Sequence, residues 1–326
     1  MKRILAVLLA VSLVFLMGAC SSRKSNDDDG ILIGVSMSML DENFSSIFRN
    51  FERFATQTPN VKVVMTNAES STEREMGNVE SLIIQEPDVI LIGPVDSIGS
   101  IPAVQAIVDA GIPCVDFLFN VQQPLPTIQA ITADELTFGH LQGDFVNEWL
   151  ETHPNVNLIA GYIKGAQAQT DQLKRYTGFV ERCIDRWAEE DPNRIKLIVD
   201  TNCNWTAPEA MAVTEDWLQA NPEINCIIAA SDEMAVGVIN VLDAQGRNHD
   251  DFLVVSVDGT ENGQNHVRAG TLDATIFTNY VIEMEKMAQI CIDLATGNNK
   301  YEQNLFIGDG AIFIITPDNI QQVIPQ

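Results

Sequence analysis

The chain has 326 residues, 45 acidic against 19 basic side chains and a formal charge of −26, with 46% hydrophobic residues. That length allows two lobes, each with its own core. The acidity argues against nucleic acid, whose phosphates need a basic surface, and against charge-driven docking on anionic lipid.

The first twenty residues are a basic start (Lys2, Arg3), an apolar run over 4–17 and then Gly18, Ala19 and Cys20. This is the pattern of a secretory signal, too short for a permanent spanning helix. The cysteine after two small residues resembles the lipobox of bacterial lipoproteins. The resemblance implies a signal peptide over 1–19, lipid on Cys20 and an exported protein held to the bilayer through Cys20. Residues 20–30 are small, polar and charged, as a flexible tether would be.

Beyond the tether, strand-like and helix-like segments alternate. Strands are expected over 31–39, 61–67, 89–95 and 114–119, then over 156–163, 195–200, 226–230, 253–257 and 274–277. Most are continuous runs rich in Val and Ile, as parallel strands covered on both faces should be. Helical patterns fall between them, over 44–56, 72–85, 98–110, 136–151, 171–187, 208–220, 233–244 and 280–296. Such alternation implies right-handed crossovers and an α/β fold with doubly wound parallel sheets. The two series divide near 132–134 without a Pro/Gly/Ser linker.

Ligands of open parallel sheets bind beyond the carboxyl ends of the strands. There the sequence places Asp41, Glu42, Asn43 and Phe44; the Cys203–Trp205 loop; Ser231 and Asp232; Asp258; and Thr278 with Asn279. Asp171 and Arg175 lie four apart, one turn along a helix face, where they can pair. Asp232 reads as a helix N-cap, and Thr260 as another. Aromatic faces, carboxylates, a guanidinium and neutral hydrogen-bonders suit a sugar, because each hydroxyl both donates and accepts. The C–H face of a pyranose suits Phe or Trp.

Once Cys20 carries lipid, five cysteines remain, without zinc or CxxC spacing; they read as buried thiols, with Cys203 set apart because it lies in a loop beside Trp205. His140, His153, His249 and His266 have no partners at metal spacing, so no metal site is expected. No nucleophile elbow, P-loop, GxGxxG or HExxH occurs, and no enzyme activity or cofactor is expected.

Six segments in order carry a family resemblance: Ile33–Ser36, Asp41–Phe44, Gly111–Pro113, Arg175–Phe179, Asp232–Ala235 and Val257–Gly259. The chain resembles the type 1 periplasmic binding protein family, near its ribose- and galactose/glucose-binding members. The resemblance implies two lobes joined by three crossings, near Thr132, Thr278 and Phe306. The first lobe is then 31–132 with 279–306, and the second 133–278 with 307–326. It also implies that Phe44 and Trp205 sandwich a sugar ring, with Glu42, Gln169, Asp171, Arg175 and Asp258 gripping hydroxyls. Ser231 stands where the family has Asn. Asp116 or Asn120 fills the slot after the fourth strand, and Thr278 or Asn279 a further one. The galactose/glucose group's calcium loop is absent, because the turn over 152–155 is too short.

The expected function is therefore an extracytoplasmic solute-binding lipoprotein. It would capture a monosaccharide or related polyol and deliver it, as a monomer, to the membrane permease of an ABC importer. The alternative is a sensory receptor, for example for autoinducer-2, presenting its closed form to a chemoreceptor or kinase.

Overall fold

The computed structural model describes residues 30–117, 120–122, 125–131, 134–167, 169–307 and 312–324. The expected signal peptide and Cys20 lie outside them, as does the crossing at Thr132. In chain order the elements are β1 (Ile31–Met37), α1 (Glu42–Ala55), β2 (Val61–Asn67), α2 (Thr72–Ile83), β3 (Val89–Ile92), α3 (Ile101–Asp109), β4 (Cys114–Phe117), β5 (Ile128–Ile131) and α4 (Glu135–Thr152). Then come β6 (Leu158–Lys164), α5 (Thr170–Phe179), which runs through a π turn (Val180–Ile184) into α6 (Asp185–Glu190), β7 (Ile195–Asn202), α7 (Ala207–Ala220), β8 (Cys226–Ala229) and α8 (Asp232–Ala244). The chain ends with β9 (Leu253–Asp258), α9 (Glu261–Ala269), β10 (Ala274–Thr278), α10 (Tyr280–Ala295), β11 (Asn304–Phe306), β12 (Ile312–Ile315) and α11 (Ile320–Val323).

Two six-stranded sheets result, ordered β11-β5-β4-β3-β1-β2 and β12-β10-β9-β8-β6-β7. All pairings are parallel except β10 with β12, an antiparallel edge. The fold is two doubly wound α/β lobes. Strand β3 is buried along its whole length, as helices on both faces of a parallel sheet require. Each lobe has its own main core, one around Ile33, Phe51 and Leu91 and one around Tyr162, Phe179 and Val254.

Strands β5, β11 and β12 and helix α9 were not expected from the sequence. Strand β5 is four residues with Gln129 inside it, and α9 is mostly polar, so neither carries a long apolar period. The five cysteines among the described residues are free and buried, including Cys203.

Helices α4 and α5 pack unusually closely. A Cβ at Gly139 would lie 2.0 Å from the Arg175 carbonyl oxygen, and one at Gly178 would lie 2.4 Å from that of Leu136. Only glycine at both positions allows that approach, and the start of α4 is thereby held beside Arg175. Among the described residues no helix is long and apolar enough to cross a membrane.

Candidate functional site

A cavity of about 40 Å³ lies between the lobes. The first lobe supplies Asp41, Asn43, Phe44 and Ile47 from the start of α1, and Tyr280 from the start of α10. The second supplies Glu135, Asp171, Arg175, Trp205, Ser231 and Asp258. Most of these residues follow a strand or open a helix, where the sheet's carboxyl edge meets solvent.

Local chemistry fixes each one. The Asp41 carboxylate accepts from the Phe44 main-chain N–H at 2.8 Å and so caps α1, turning Phe44 inward. Ser231, not Asp232, caps α8: its Oγ accepts from the Met234 N–H at 3.4 Å. Asp232 is instead fully buried below the site, accepting from Ser256 Oγ, from Thr275 Oγ1 at 2.7 Å, and from the N–H and Oγ1 of Thr260 at 2.7 and 3.0 Å. Those bonds tie β9, β10 and α9 together under the loop that carries Asp258. Thr260 is the N-cap of α9, as expected.

Trp205 follows Asn204 in a tight turn where both residues have positive φ, +42° and +63°. Its indole N–H donates to Gln169 Oε1. The ring lies against Gly165, where a Cβ would come within 2.1 Å of it. Asp258 has φ +114°, a conformation L-residues seldom adopt. Such strain costs on the order of 1–3 kcal/mol per residue and concentrates at functional sites.

Arg175 is the only basic residue of the wall among the described residues. Its Nε donates to Glu135 Oε2 at 2.5 Å, and one terminal nitrogen donates to the Ala230 carbonyl and, at 3.5 Å, to Asp258 Oδ1. Its guanidinium also stacks 4.9 Å from the Phe138 ring centroid and 5.5 Å from that of Trp205. The expected pair between Arg175 and Asp171 is absent. Glu135 wins because the close α4–α5 packing brings it to Nε from across the helix pair, and Asp171 is left at the cavity wall.

Burial dominates the acid–base behaviour of the wall. It pushes the Asp171 carboxyl up to about 7; Glu135 adds repulsion, and Arg175 and Lys174 oppose. Burial also raises Asp258 well above the ordinary carboxylate range, against the pull of Arg175. Asp41 is raised for the same reason, its capping bond from Phe44 opposing.

Other expected contacts lie elsewhere. Glu42 points away from the central cavity and accepts from the Asn262 N–H across the lobes at 3.1 Å; Asp41, beside it, takes the wall position. Asp116 is fully buried and accepts from the Val121 N–H at 3.0 Å, bracing the loop after β4; burial pushes its carboxyl up to about 7. Asn120, with its amide nitrogen turned to Asp116, donates to Oδ1 at 3.2 Å and to the main-chain carbonyl at 3.0 Å, so the two satisfy each other. Gln169 holds Trp205 from behind and donates to the Val95 carbonyl of the other lobe at 3.0 Å. Thr278 and Asn279 line a neighbouring opening with Glu42, and Asn279 caps α10.

Glu135 and Tyr280 line the wall without having been expected there from the sequence, and Asp41 takes the place expected of Glu42. Their shared signal was position: each caps or opens a helix just after a strand or a crossing.

A family model described as "Periplasmic binding protein domain" matches residues 33–299. The putative rhizopine-binding protein of Rhizobium meliloti is 26% identical over 284 residues, covering 84% of this chain and 87% of that protein. The ribose import binding protein RbsB of Bacillus subtilis (strain 168) is 26% identical over 286 residues, covering 85% and 88%. Among solved structures, an ABC transporter solute binding protein from Bacillus halodurans with bound myo-inositol superposes with a TM-score of 0.77 at 23% identity, covering 91% of this chain and 98% of that one.

Proposed function

The chain belongs to the periplasmic binding protein family, and from that membership we propose that it captures a sugar or related polyol between its lobes and delivers it to an ABC-type importer. The observation that carries this reading is the mixed wall of the cavity. Both lobes contribute to it, with three aromatic residues, Phe44, Trp205 and Tyr280, beside Arg175 and several carboxylates. Aromatic faces take the apolar side of a sugar ring, and carboxylates and the guanidinium take its hydroxyls. The relatives named above are binding proteins, not enzymes.

Ligand contacts from both lobes form together only when the lobes close. A ligand therefore binds the closed form more tightly and shifts the population toward it. The importer would read that closed form. The amino-terminal pattern supports export and anchoring through lipid on Cys20, so capture would occur at the outer face of the membrane.

A thermal-shift panel of pentoses, hexoses, inositols and linear polyols tests the reading on the soluble chain from Ser25 onward. A true ligand at 100 times its Kd adds about 2.7 kcal/mol of stability. Absence of any response across the panel would overturn it.

A further inference from the structure

Two hydrogen bonds join the lobes directly, one on each side of the cavity. On one side Glu42, in the first turn of α1 on the first lobe, accepts at 3.1 Å from the main-chain N–H of Asn262, in the first turn of α9 on the second. On the other side Gln169 of the second lobe donates through Nε2 to the Val95 carbonyl of the first at 3.0 Å. The lining residues fix this order. The opening that holds Glu42 shares Asn43, Asp258 and Tyr280 with the cavity, and the opening that holds Gln169 and Val95 shares Trp205 with it. The two openings have no lining residue in common.

Each bond is built into its surroundings. The first N–H groups of a helix have no partner within it. At α9 the Thr260 hydroxyl takes the Gly263 N–H at 3.0 Å, and Glu42 takes that of Asn262 from across the cleft. The Glu42 carboxylate thereby stands between the amino-terminal ends of two helices, α1 and α9, whose dipoles both favour negative charge. Gln169 is buried, and its Oε1 accepts from the Trp205 indole N–H. One amide plane therefore serves Trp205 within the second lobe and Val95 across the gap. Parting the lobes breaks the bond to Val95, leaves the one to Trp205, and returns the Asn262 N–H to water.

Neither bond needs a ligand. We propose that Glu42 and Gln169 form a two-point latch that holds the lobes closed in the absence of ligand, Glu42 by capping α9 across the cleft and Gln169 by bridging Trp205 to Val95. Apparent affinity scales with the fraction of chains in the competent form, so both residues tune ligand affinity without touching the ligand.

The test measures the distance between nitroxide labels at Glu80→Cys on α2 and Glu215→Cys on α7, by pulsed electron resonance on the ligand-free chain from Ser25 onward. Both positions are exposed, on helices of opposite lobes that start at or beside the opening spanned by Gln169. The five native thiols among the described residues are buried. The parent protein, labelled but otherwise unchanged, should show a short, closed distance beside a longer one. Glu42→Ala and Gln169→Ala should each lower the closed-to-open ratio about three-fold or more, as loss of one net hydrogen bond implies. Glu42→Gln, which keeps an acceptor oxygen without the charge, should lower it less than Glu42→Ala. Trp205→Phe, which leaves the Gln169 amide free to reach Val95, should lower it less than Gln169→Ala. Raising salt from about 0.05 M to about 1 M should lower the ratio in the parent more than in Glu42→Gln. If either alanine variant fails to fold, Glu42→Gln and Gln169→Met carry the comparison. A ligand-free parent confined to the longer distance would overturn the latch. An unchanged ratio in the Glu42 variants or in the Gln169 variants would remove that residue from it. No ligand enters the measurement, so its failure leaves the sugar reading of the cavity standing.

Discussion

Arg175 bonds Glu135, forty residues before it in the chain, rather than Asp171, one turn before it on its own helix. The cause is the glycine-lined contact of α4 with α5, which places a carboxylate nearer to the guanidinium than the helix itself can. The consequence is a guanidinium held in one orientation, with one flank available to the cavity, and a separate buried carboxylate beside it.

That arrangement makes Arg175 hard to replace. Arg175→Lys should weaken the tightest binder of the sugar and polyol panel at least ten-fold, about 1.4 kcal/mol, because an ammonium cannot span Glu135, Asp258 and a ligand hydroxyl in one plane. Calorimetry on wild type and variant checks this. Unchanged affinity would remove Arg175 from the ligand's contacts.

Trp205 depends on Gly165. A methyl group there would lie inside the indole ring, so Gly165→Ala should displace the ring and lower affinity ten-fold or more, much as Trp205→Ala should. Tryptophan fluorescence of the ligand-free variant should shift as its indole leaves Gln169. A variant with normal binding and an unchanged spectrum would show that the ring tolerates the methyl group.

Asp232 is a structural anchor. Asp232→Ala leaves Ser256, Thr275 and Thr260 without their acceptor in a buried place, which should cost about 3 kcal/mol or more. Urea unfolding reads that loss directly. The variant should bind only weakly at temperatures where it remains folded, since Asp258 stands on the same loop.

The buried carboxyls set a pH dependence. Asp171 and Asp116 both rise from 3.8 to about 7, and Asp273 to about 6, in each case chiefly through burial. Between those values the folded chain holds protons that the unfolded chain has released. Stability therefore falls as pH rises through that window, by about 1.4 kcal/mol per pH unit for each group still protonated, and the fall is complete above about 7. The ligand-free protein should be more stable to urea at pH 5.5 than at pH 8, by about 1–4 kcal/mol. Asp116→Asn should flatten part of that difference. A flat profile in wild type would mean that these groups keep ordinary affinities for protons.

Lobe closure gives a shape change. Phe44 and Asp41 stand on one lobe and Asp171, Arg175 and Asp258 on the other, so the ligand-free population should include open forms. Solution scattering should show a smaller radius of gyration on adding a ligand from the panel. A tight ligand that leaves the scattering curve unchanged would point to a rigid site.

The alternation of β-branched runs with helical periods was enough to read two doubly wound lobes. A strand covered on both faces must be apolar throughout, and that shows in a single sequence. The places of Phe44, Asp171, Trp205, Ser231 and Asp258 on the cavity wall were likewise legible, because each follows a strand or lies in the first turn of a helix, and that of Arg175 through its four-residue spacing from Asp171 and the resemblance carried by Arg175–Phe179. What the sequence could not decide was which carboxylate each cation and each loop would use. Asp41 against Glu42, Glu135 against Asp171, and the inward turn of Asp116 toward Val121 depend on helix rotation and on contacts between residues distant in the chain. Local periodicity places a residue on an edge or a face, but only the packing of α4 on α5, allowed by Gly139 and Gly178, decides which charges meet.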